Sequence, residues 1–375
     1  MSTTPIHKLG SLGQSVWIDQ ISRGMITSSE LERLRDAGVT GLTSNPTIFQ
    51  KAIDASSDYD DDLTALADRG LSAEAVFESV ALDDIRAACD LMRPVYDAAG
   101  GADGFVSFEV SPHLAHMTAE TIGEARRLWD LIDRPNVMIK VPGTPEGVPA
   151  FRSLVAEGLN INVTLLFAVD AYVDVANAYI DGLEAYDKSG GDVGSVASVA
   201  SFFVSRVDTS ADTALQSLID GGQTGLADLL GQAAVANARI AYSRYLDIFG
   251  GSRFQALRAK GAKEQRCLWA STSTKNPAYS DVLYVQELIA PNTVNTMPLD
   301  TIEAWNDHGD TRLTLEEGLD GAPEIIHRIE SAGISFKEIT DQLTIDGVKA
   351  FADSYDLLLS DVGKKSARLT AAAAS

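Results

Sequence analysis

A closed parallel barrel of the α/β class, the (β/α)8 or TIM-barrel architecture with additional helices in its long connections and at its C-terminus, is predicted by three observations. Eight short β-rich runs alternate with longer stretches of helical periodicity, the pattern of repeated βα units around a parallel sheet. Polar residues recur where those runs end, which in a parallel barrel is the face on which the βα loops converge. The chain of 375 residues, 45% hydrophobic and 22% charged, is long enough for one large barrel with inserted helices and has the composition of a packed globular protein.

The elements follow in order. SVWID (15–19) is a first strand ending in Asp19, and SSELERLRDAG (28–38) reads as an amphipathic helix with Ser28 as N-cap and Gly38 as its stop. GVTGLTSN (38–45) is the second strand; its last residue, Asn45, precedes Pro46, a helix start with proline in the first turn. Residues 46–103 form a long, mostly helical connection, expected to help cover the site. GFVSFEV (104–110) brings Glu109 to the end of the third strand, and TAETIGEARRLWDLI (118–132) is a helix with Thr118 as N-cap.

NVMIKV (136–141) is the fourth strand, closed by Pro142 and Gly143, and Lys140 is the one charge in it. In NINVTLLF (160–167) Asn162 and Thr164 share a face, because side chains alternate with period two. A helix over 169–186 leads to SVASFFV (198–204), with Ser201 and Phe203 in the strand and Arg206 just beyond it. A second helical connection spans 205–265, RCLWAST (266–272) and NTVNTM (292–297) complete the eight strands, and residues 313–370 offer further C-terminal helices. These additions account for the length within one domain over 1–375.

Charge and cysteine content narrow the function. A formal net charge of −23 repels nucleic acids and anionic lipid surfaces, so neither is an expected partner, and an anionic substrate must find cations concentrated at its site. Cys89 and Cys267 stand far apart without metal-type spacing, which fits a reducing cytoplasm better than a disulfide framework. The N-terminus has no apolar core of the signal-peptide kind, and no stretch is long and apolar enough to span a bilayer. His113 and His116 lack an accompanying carboxylate or cysteine set, GGDVGS (190–195) precedes a strand instead of opening a helix, and no G-x-G-x-x-G fingerprint is present. No metal and no cofactor is expected.

The strand ends supply Asp19, Asn45, Glu109, Lys140, Asn162 with Thr164, Ser201 with Arg206, and Ser271 with Lys275. A lysine with a pKa of about 10.4 is rarely neutral at neutral pH, and attack on a carbonyl needs the neutral amine, which burial favours. Lys140 therefore reads either as a Schiff-base lysine in an apolar setting or as an ion-pair partner of Glu109 or Asp19. A protonated imine draws electrons from the neighbouring carbon, so a carboxylate close to a ketose hydroxyl could drive carbon–carbon cleavage. Asp19 and Glu109 could divide that work; alternatively Asp19 caps the next segment and Glu109 is a charge partner. Asn45 is a helix N-cap that can also touch substrate, and Arg206, with Lys275 as a second cation, can hold a phosphate.

Taken together, VWIDQISRG, GLTSNPTIF, VSFEVSP, NVMIKVPGTPEG, LNINVTLLF, ASFFVSRVD and NTVNTMP resemble transaldolase, over a span from about Ser11 to Trp305. The resemblance implies a (β/α)8 barrel that moves a dihydroxyacetone unit between phosphorylated sugars of the pentose phosphate pathway. Sedoheptulose 7-phosphate and glyceraldehyde 3-phosphate would exchange with erythrose 4-phosphate and fructose 6-phosphate. By motif position Lys140 looks like the imine-forming lysine, Asp19 like the acid/base of cleavage, and Glu109 with Thr164 like the pair that handles a catalytic water. Asn45 and Asn162 resemble hydroxyl contacts, Ser201 and Arg206 the phosphate site, and Phe203 a shaping residue of that pocket. One departure is Lys275, where many relatives carry arginine; lysine lacks the planar fork. Two other readings stay open: a Schiff-base aldolase that releases dihydroxyacetone, and a non-catalytic sugar-phosphate-binding protein. Mixed acidic and apolar helix faces suit either a monomer or a homodimer.

Overall fold

The computed structural model describes residues 4–373. Its centre is a closed parallel barrel in which each strand pairs with its sequence neighbours and the eighth returns to the first. The strands are β1 (Gln14–Ile18), β2 (Gly41–Thr43), β3 (Val106–Glu109), β4 (Val137–Pro142), β5 (Ile161–Leu166), β6 (Ser198–Phe203), β7 (Arg266–Ala270) and β8 (Thr293–Met297). All eight expected strands are present, and the expected (β/α)8 class is the observed one. They are almost wholly buried, since one face meets the helical layer and the other fills the barrel.

Two helix starts differ from expectation. Ser28 is the C-cap of an earlier helix, Arg23–Thr27, and the following helix, Glu30–Asp36, begins after Ser29 in a left-handed conformation without a side-chain cap. Thr118 is the first helical residue after Met117, and its hydroxyl donates to the carbonyl of Glu146. At the first place two adjacent serines of equal capping ability were separated by one position, and at the second Thr118 lies one residue inside the helix with its hydroxyl engaged by another segment. Asn45 does cap its helix, Pro46–Ala55, by accepting the amide of Ile48 at 3.0 Å.

The connection between β2 and β3 holds the helices Pro46–Ala55, Asp60–Asp68 and Ala73–Ala98. Between β6 and β7 run Ser205–Asp220, Ala233–Gly250 and Ser252–Arg258. Beyond β8 the chain forms Leu299–His308 and Ala322–Ser331, then a 38-residue C-terminal helix, Phe336–Ala373. This last helix buries Phe336, Thr340, Leu343, Phe351, Leu358, Val362 and Ser366, steps of three, four, seven or eight that mark one stripe. The stripe lies across the C-terminal face of the barrel. Gly347 belongs to it: a Cβ there would stand 3.1 Å from Leu165 Cδ2 and 3.5 Å from Phe167, so the missing side chain lets the helix rest on the end of β5.

Gly147, just after β4, is a second glycine with a steric reason. A Cβ at this position would lie 1.9 Å from the Pro142 carbonyl oxygen, a backbone atom that cannot swing away. Gly147→Ala is therefore expected to displace the end of the strand that carries Lys140. Overpacking of this kind costs about 1–3 kcal/mol; a lower melting temperature together with reduced activity is the expected result, and an unchanged melt would show that the loop relaxes freely.

Candidate active site

Strand register brings the central groups together. Glu109 is paired with Lys140, and Lys140 with Asn162, so the three side chains leave adjacent strands at one level and point into the barrel. Ile139 and Val141 leave β4 on the opposite face. The apolar run around Lys140 is thus the packing surface for helices, and the lysine's own surroundings are different. Its side chain is 5% exposed; Nζ donates to the carbonyl of Ser44 at 2.9 Å, lies 3.5 Å from Glu109 Oε2, and has the Phe351 ring centroid at 5.8 Å. An amine contact with Glu109, one of the two alternatives from the sequence, is what the geometry contains.

Asp19 follows directly on β1, and its amide continues the ladder by donating to Met297 O at 2.8 Å. Its carboxylate accepts the Thr43 hydroxyl at 2.6 Å, and Thr43 in turn meets Thr296 at 2.7 Å. Withdrawal from water raises the pKa of Asp19 above the usual carboxylate value, against the opposing pull of the Thr43 hydrogen bond and the Lys140 charge. Glu109 is raised for the same leading reason, and the charge and contact of Lys140 oppose it. Two carboxylates flanking one amine are thereby biased toward holding a proton, as proton-transfer groups should be.

Thr164 sits where β5 is irregular. Four residues of β5, Val163 to Leu166, stand against three of β6, Ala200 to Phe202, and Leu165 takes a left-handed φ of 62°. A bulky residue in that conformation marks a place where the fold holds the backbone against its preference. Ser271, after β7, is likewise left-handed at φ 57°, and its hydroxyl lies 2.9 Å from that of Ser205.

A cavity of about 340 Å³ opens at this barrel face. Asp19, Lys140 and Thr164 line its floor, and Asn45, Ser201, Phe203, Arg206 and Lys275 lie around it. Glu109 and Asn162 are not on its wall. Glu109 stands behind the lysine, and Asn162, fully buried, donates to Ser107 Oγ at 3.0 Å and accepts the Ser201 hydroxyl at 2.7 Å, so it holds Ser201 from below. Arg206 lies over Phe203, 5.4 Å from the ring centroid, and Lys275 donates to Ser273 Oγ at 2.6 Å. Burial lowers the pKa of Arg206 relative to its ordinary value, and among the described residues no carboxylate within salt-bridge distance offsets the loss of hydration. Against a net charge of −23, a half-buried arginine facing a cavity without a carboxylate partner is equipped to receive an anion.

Lys51 and Phe351 also line the cavity and were missed from sequence. For Lys51 a signal existed: Thr47, Ile48 and Lys51 recur at helical spacing after the Asn45 cap and reach the cavity together. Of the 46–103 connection, its first helix alone supplies lining residues, and the cover comes instead from the C-terminal helix through Phe351. A larger, more open depression of about 610 Å³ lies beside the Ser205–Asp220 helix. Asp208, Asp212 and Asp220 wall it, a poor environment for a phosphorylated ligand; Lys275 borders both cavities, but Lys140 does not reach this one.

Comparison with known proteins agrees with this geometry. Residues 16–362 match the family described as Transaldolase/Fructose-6-phosphate aldolase. A protein of Acidothermus cellulolyticus named Transaldolase is 48% identical, with 96% of each chain covered. Others of the same name, from Mycobacterium ulcerans and Trichodesmium erythraeum, are 47% and 44% identical, covering 94% of both chains in the first case and 99% of this chain and 100% of the relative in the second. With the family's match running through every strand of the barrel, the chain belongs to the transaldolase/fructose-6-phosphate aldolase family.

Proposed function

We propose that the protein is a transaldolase, which transfers a dihydroxyacetone unit from sedoheptulose 7-phosphate to glyceraldehyde 3-phosphate, giving erythrose 4-phosphate and fructose 6-phosphate, through an imine on Lys140. The observation that carries this reading is the buried Lys140 amine between Glu109 and the Asp19 side of a cavity rimmed by Lys51, Arg206 and Lys275, cations without a carboxylate partner among the described residues. Near-complete alignment with relatives named Transaldolase supports the same reaction.

The steps follow from the side chains. Nζ adds to the ketose carbonyl, and loss of water gives the iminium. Among the described residues neither Glu109 Oε2, apart from its ion-pair contact with Lys140, nor Thr164 Oγ1 has a hydrogen-bond partner, so both have bonding capacity for the water that leaves here and returns at hydrolysis. Asp19 removes the proton from the hydroxyl on the β-carbon, the α–β bond breaks, and its electrons move to the iminium to form an enamine while the phosphorylated aldehyde departs. The enamine carbon attacks the incoming aldehyde, Asp19 returns the proton, and hydrolysis frees the amine. Thr43 and Thr296 orient Asp19.

Arg206, Lys275 and Ser201 form the phosphate end, with Phe203 as its floor and Asn45 toward the sugar hydroxyls; Lys51 adds a third cation at the mouth. Arg206→Ala is expected to raise KM for fructose 6-phosphate about ten- to a hundredfold, the equivalent of one lost charge-assisted contact. Turnover of unphosphorylated fructose should be nearly unaffected, and equal losses on both substrates would place the phosphate elsewhere. We also assign the protein to the cytoplasm, in keeping with two free, buried cysteines. Sedimentation at one or two chain masses decides between a monomer and the homodimer that the sequence allows.

The test of the whole reading is borohydride reduction in the presence of fructose 6-phosphate. A dihydroxyacetone-sized adduct on the Lys140 peptide is expected. Turnover without any adduct would overturn the lysine mechanism, and neither turnover nor adduct would favour the binding-protein alternative.

A further inference from the structure

The intermediate left on Lys140 after cleavage has two fates. Attack on an aldehyde completes transfer, whereas protonation of its carbon gives an iminium that water hydrolyses to free dihydroxyacetone and the lysine amine. A transferase must keep water and stray protons from the enamine until the acceptor arrives. Most side chains around the lysine do the opposite: Asp19, Thr43, Thr164, Ser201 and Thr296 are all polar and can hold water.

Phe351 is the exception on the helix side. Its ring centroid is 5.8 Å from Nζ, it lines the cavity, and it is 6% exposed. Its position is fixed from two directions. One turn earlier, Gly347 lets the helix sit against Leu165 and Phe167; one turn later, Ser354 accepts the Thr47 hydroxyl at 3.0 Å. Farther along, Gln50 donates to Asp361 at 3.1 Å, and Lys365 donates to the Ile53 carbonyl at 2.8 Å. These contacts fix the helix, and with it the point at which the Phe351 ring enters the cavity as an apolar barrier.

We infer that Phe351 is a positioning residue that keeps solvent off the nitrogen-bound intermediate, and so sets the ratio of dihydroxyacetone transfer to dihydroxyacetone release. This rests on Lys140 being the imine-forming lysine. Water exclusion of this kind protects reactive intermediates from hydrolysis.

The full-length protein with Phe351→Ala, Phe351→Leu or Phe351→Gln provides the test. For each, sedoheptulose 7-phosphate formed from fructose 6-phosphate with erythrose 4-phosphate added as the acceptor is compared with dihydroxyacetone released from fructose 6-phosphate alone. Release per transfer should rise about tenfold in the alanine and glutamine variants. The leucine variant, which restores apolar bulk, should stay near the parent, and the borohydride adduct should remain on Lys140 throughout. A ratio unchanged in all three, with transfer and release falling in proportion, would reduce Phe351 to a packing residue and overturn the inference. If the alanine variant fails to fold, leucine against glutamine, both of which fill the space, carries the same comparison. Absence of any adduct in the parent would instead sink the imine assignment, and the Phe351 role with it.

Discussion

Lys140→Met should lower transfer from fructose 6-phosphate by about 10⁴-fold or more, equivalent to roughly 5.5 kcal/mol of lost transition-state stabilisation. Methionine keeps the length and apolar body of the side chain in its 5% exposed position, so the barrel should persist and the loss can be assigned to the amine. Borohydride should then leave the protein unmodified in the presence of substrate. Removing the ammonium also removes from Asp19 and Glu109 the charge that opposes their desolvation, so both carboxylates should take up protons more readily than in the parent. A Lys140→Met protein that still turned over and still formed a reducible adduct would transfer the nucleophile's role to another lysine, and Lys51 and Lys275 are the other two at the cavity.

The second large effect is expected at Asp19. Asp19→Asn keeps the shape of the side chain but removes the base, a loss of about 10²–10⁴ in turnover. Imine formation does not need Asp19, so reduction should trap an adduct of full hexose phosphate size on Lys140 in place of the dihydroxyacetone-sized one. Adduct size therefore separates a cleavage defect from a binding defect. If dihydroxyacetone-sized adduct accumulates at the parent's rate, Asp19 is not the cleavage base.

The same substitution has an opposite effect on stability, and the sign follows from the raised pKa. Below the unfolded-state pKa of an aspartate, about 3.9, the group is protonated in both states and contributes no difference. As pH rises from there through the higher folded-state value, the unfolded chain ionises first and is favoured; the resulting loss of stability is complete above the folded-state pKa. Above that folded-state pKa the parent bears the loss in full and Asp19→Asn does not. The variant should thus melt at a higher temperature than the parent at a pH above the folded-state pKa, with the difference shrinking as pH falls through it. A variant that melts lower there would mean that the Thr43 hydrogen bond and Lys140 outweigh desolvation.

Much of this architecture was legible because period and position are local properties. Each strand announced itself through β-rich runs, and the rule that function gathers at strand ends led to Asp19, Lys140, Thr164 and Arg206, which do share one cavity. Depth was not legible. Asn162 belongs to the same strand face as Thr164, yet an extra residue in β5 lies beside them, and Asn162 remains a level lower, beneath Ser201. The environment of Lys140 was misread for a related reason: alternation sends its apolar neighbours to the far side of the strand, and the groups that meet its amine come from β3, the residues after β2 and a helix two hundred positions downstream. Phe351 could be assigned to a helix from its spacing, but nothing in that spacing indicated where along the barrel mouth its ring would land. Ser28 shows the same limit at short range, since it and Ser29 have equal capping chemistry and only the tertiary fold distinguishes them, while the Thr118 hydroxyl is drawn to the Glu146 carbonyl, a partner 28 positions away.

Thr47 and Ser354 touch across 307 positions of sequence. All eight strands and Lys140 precede in sequence the helix that closes over them, so synthesis of the barrel strands is finished before synthesis of their cover begins. The order of translation thus separates the making of the barrel from the making of its lid.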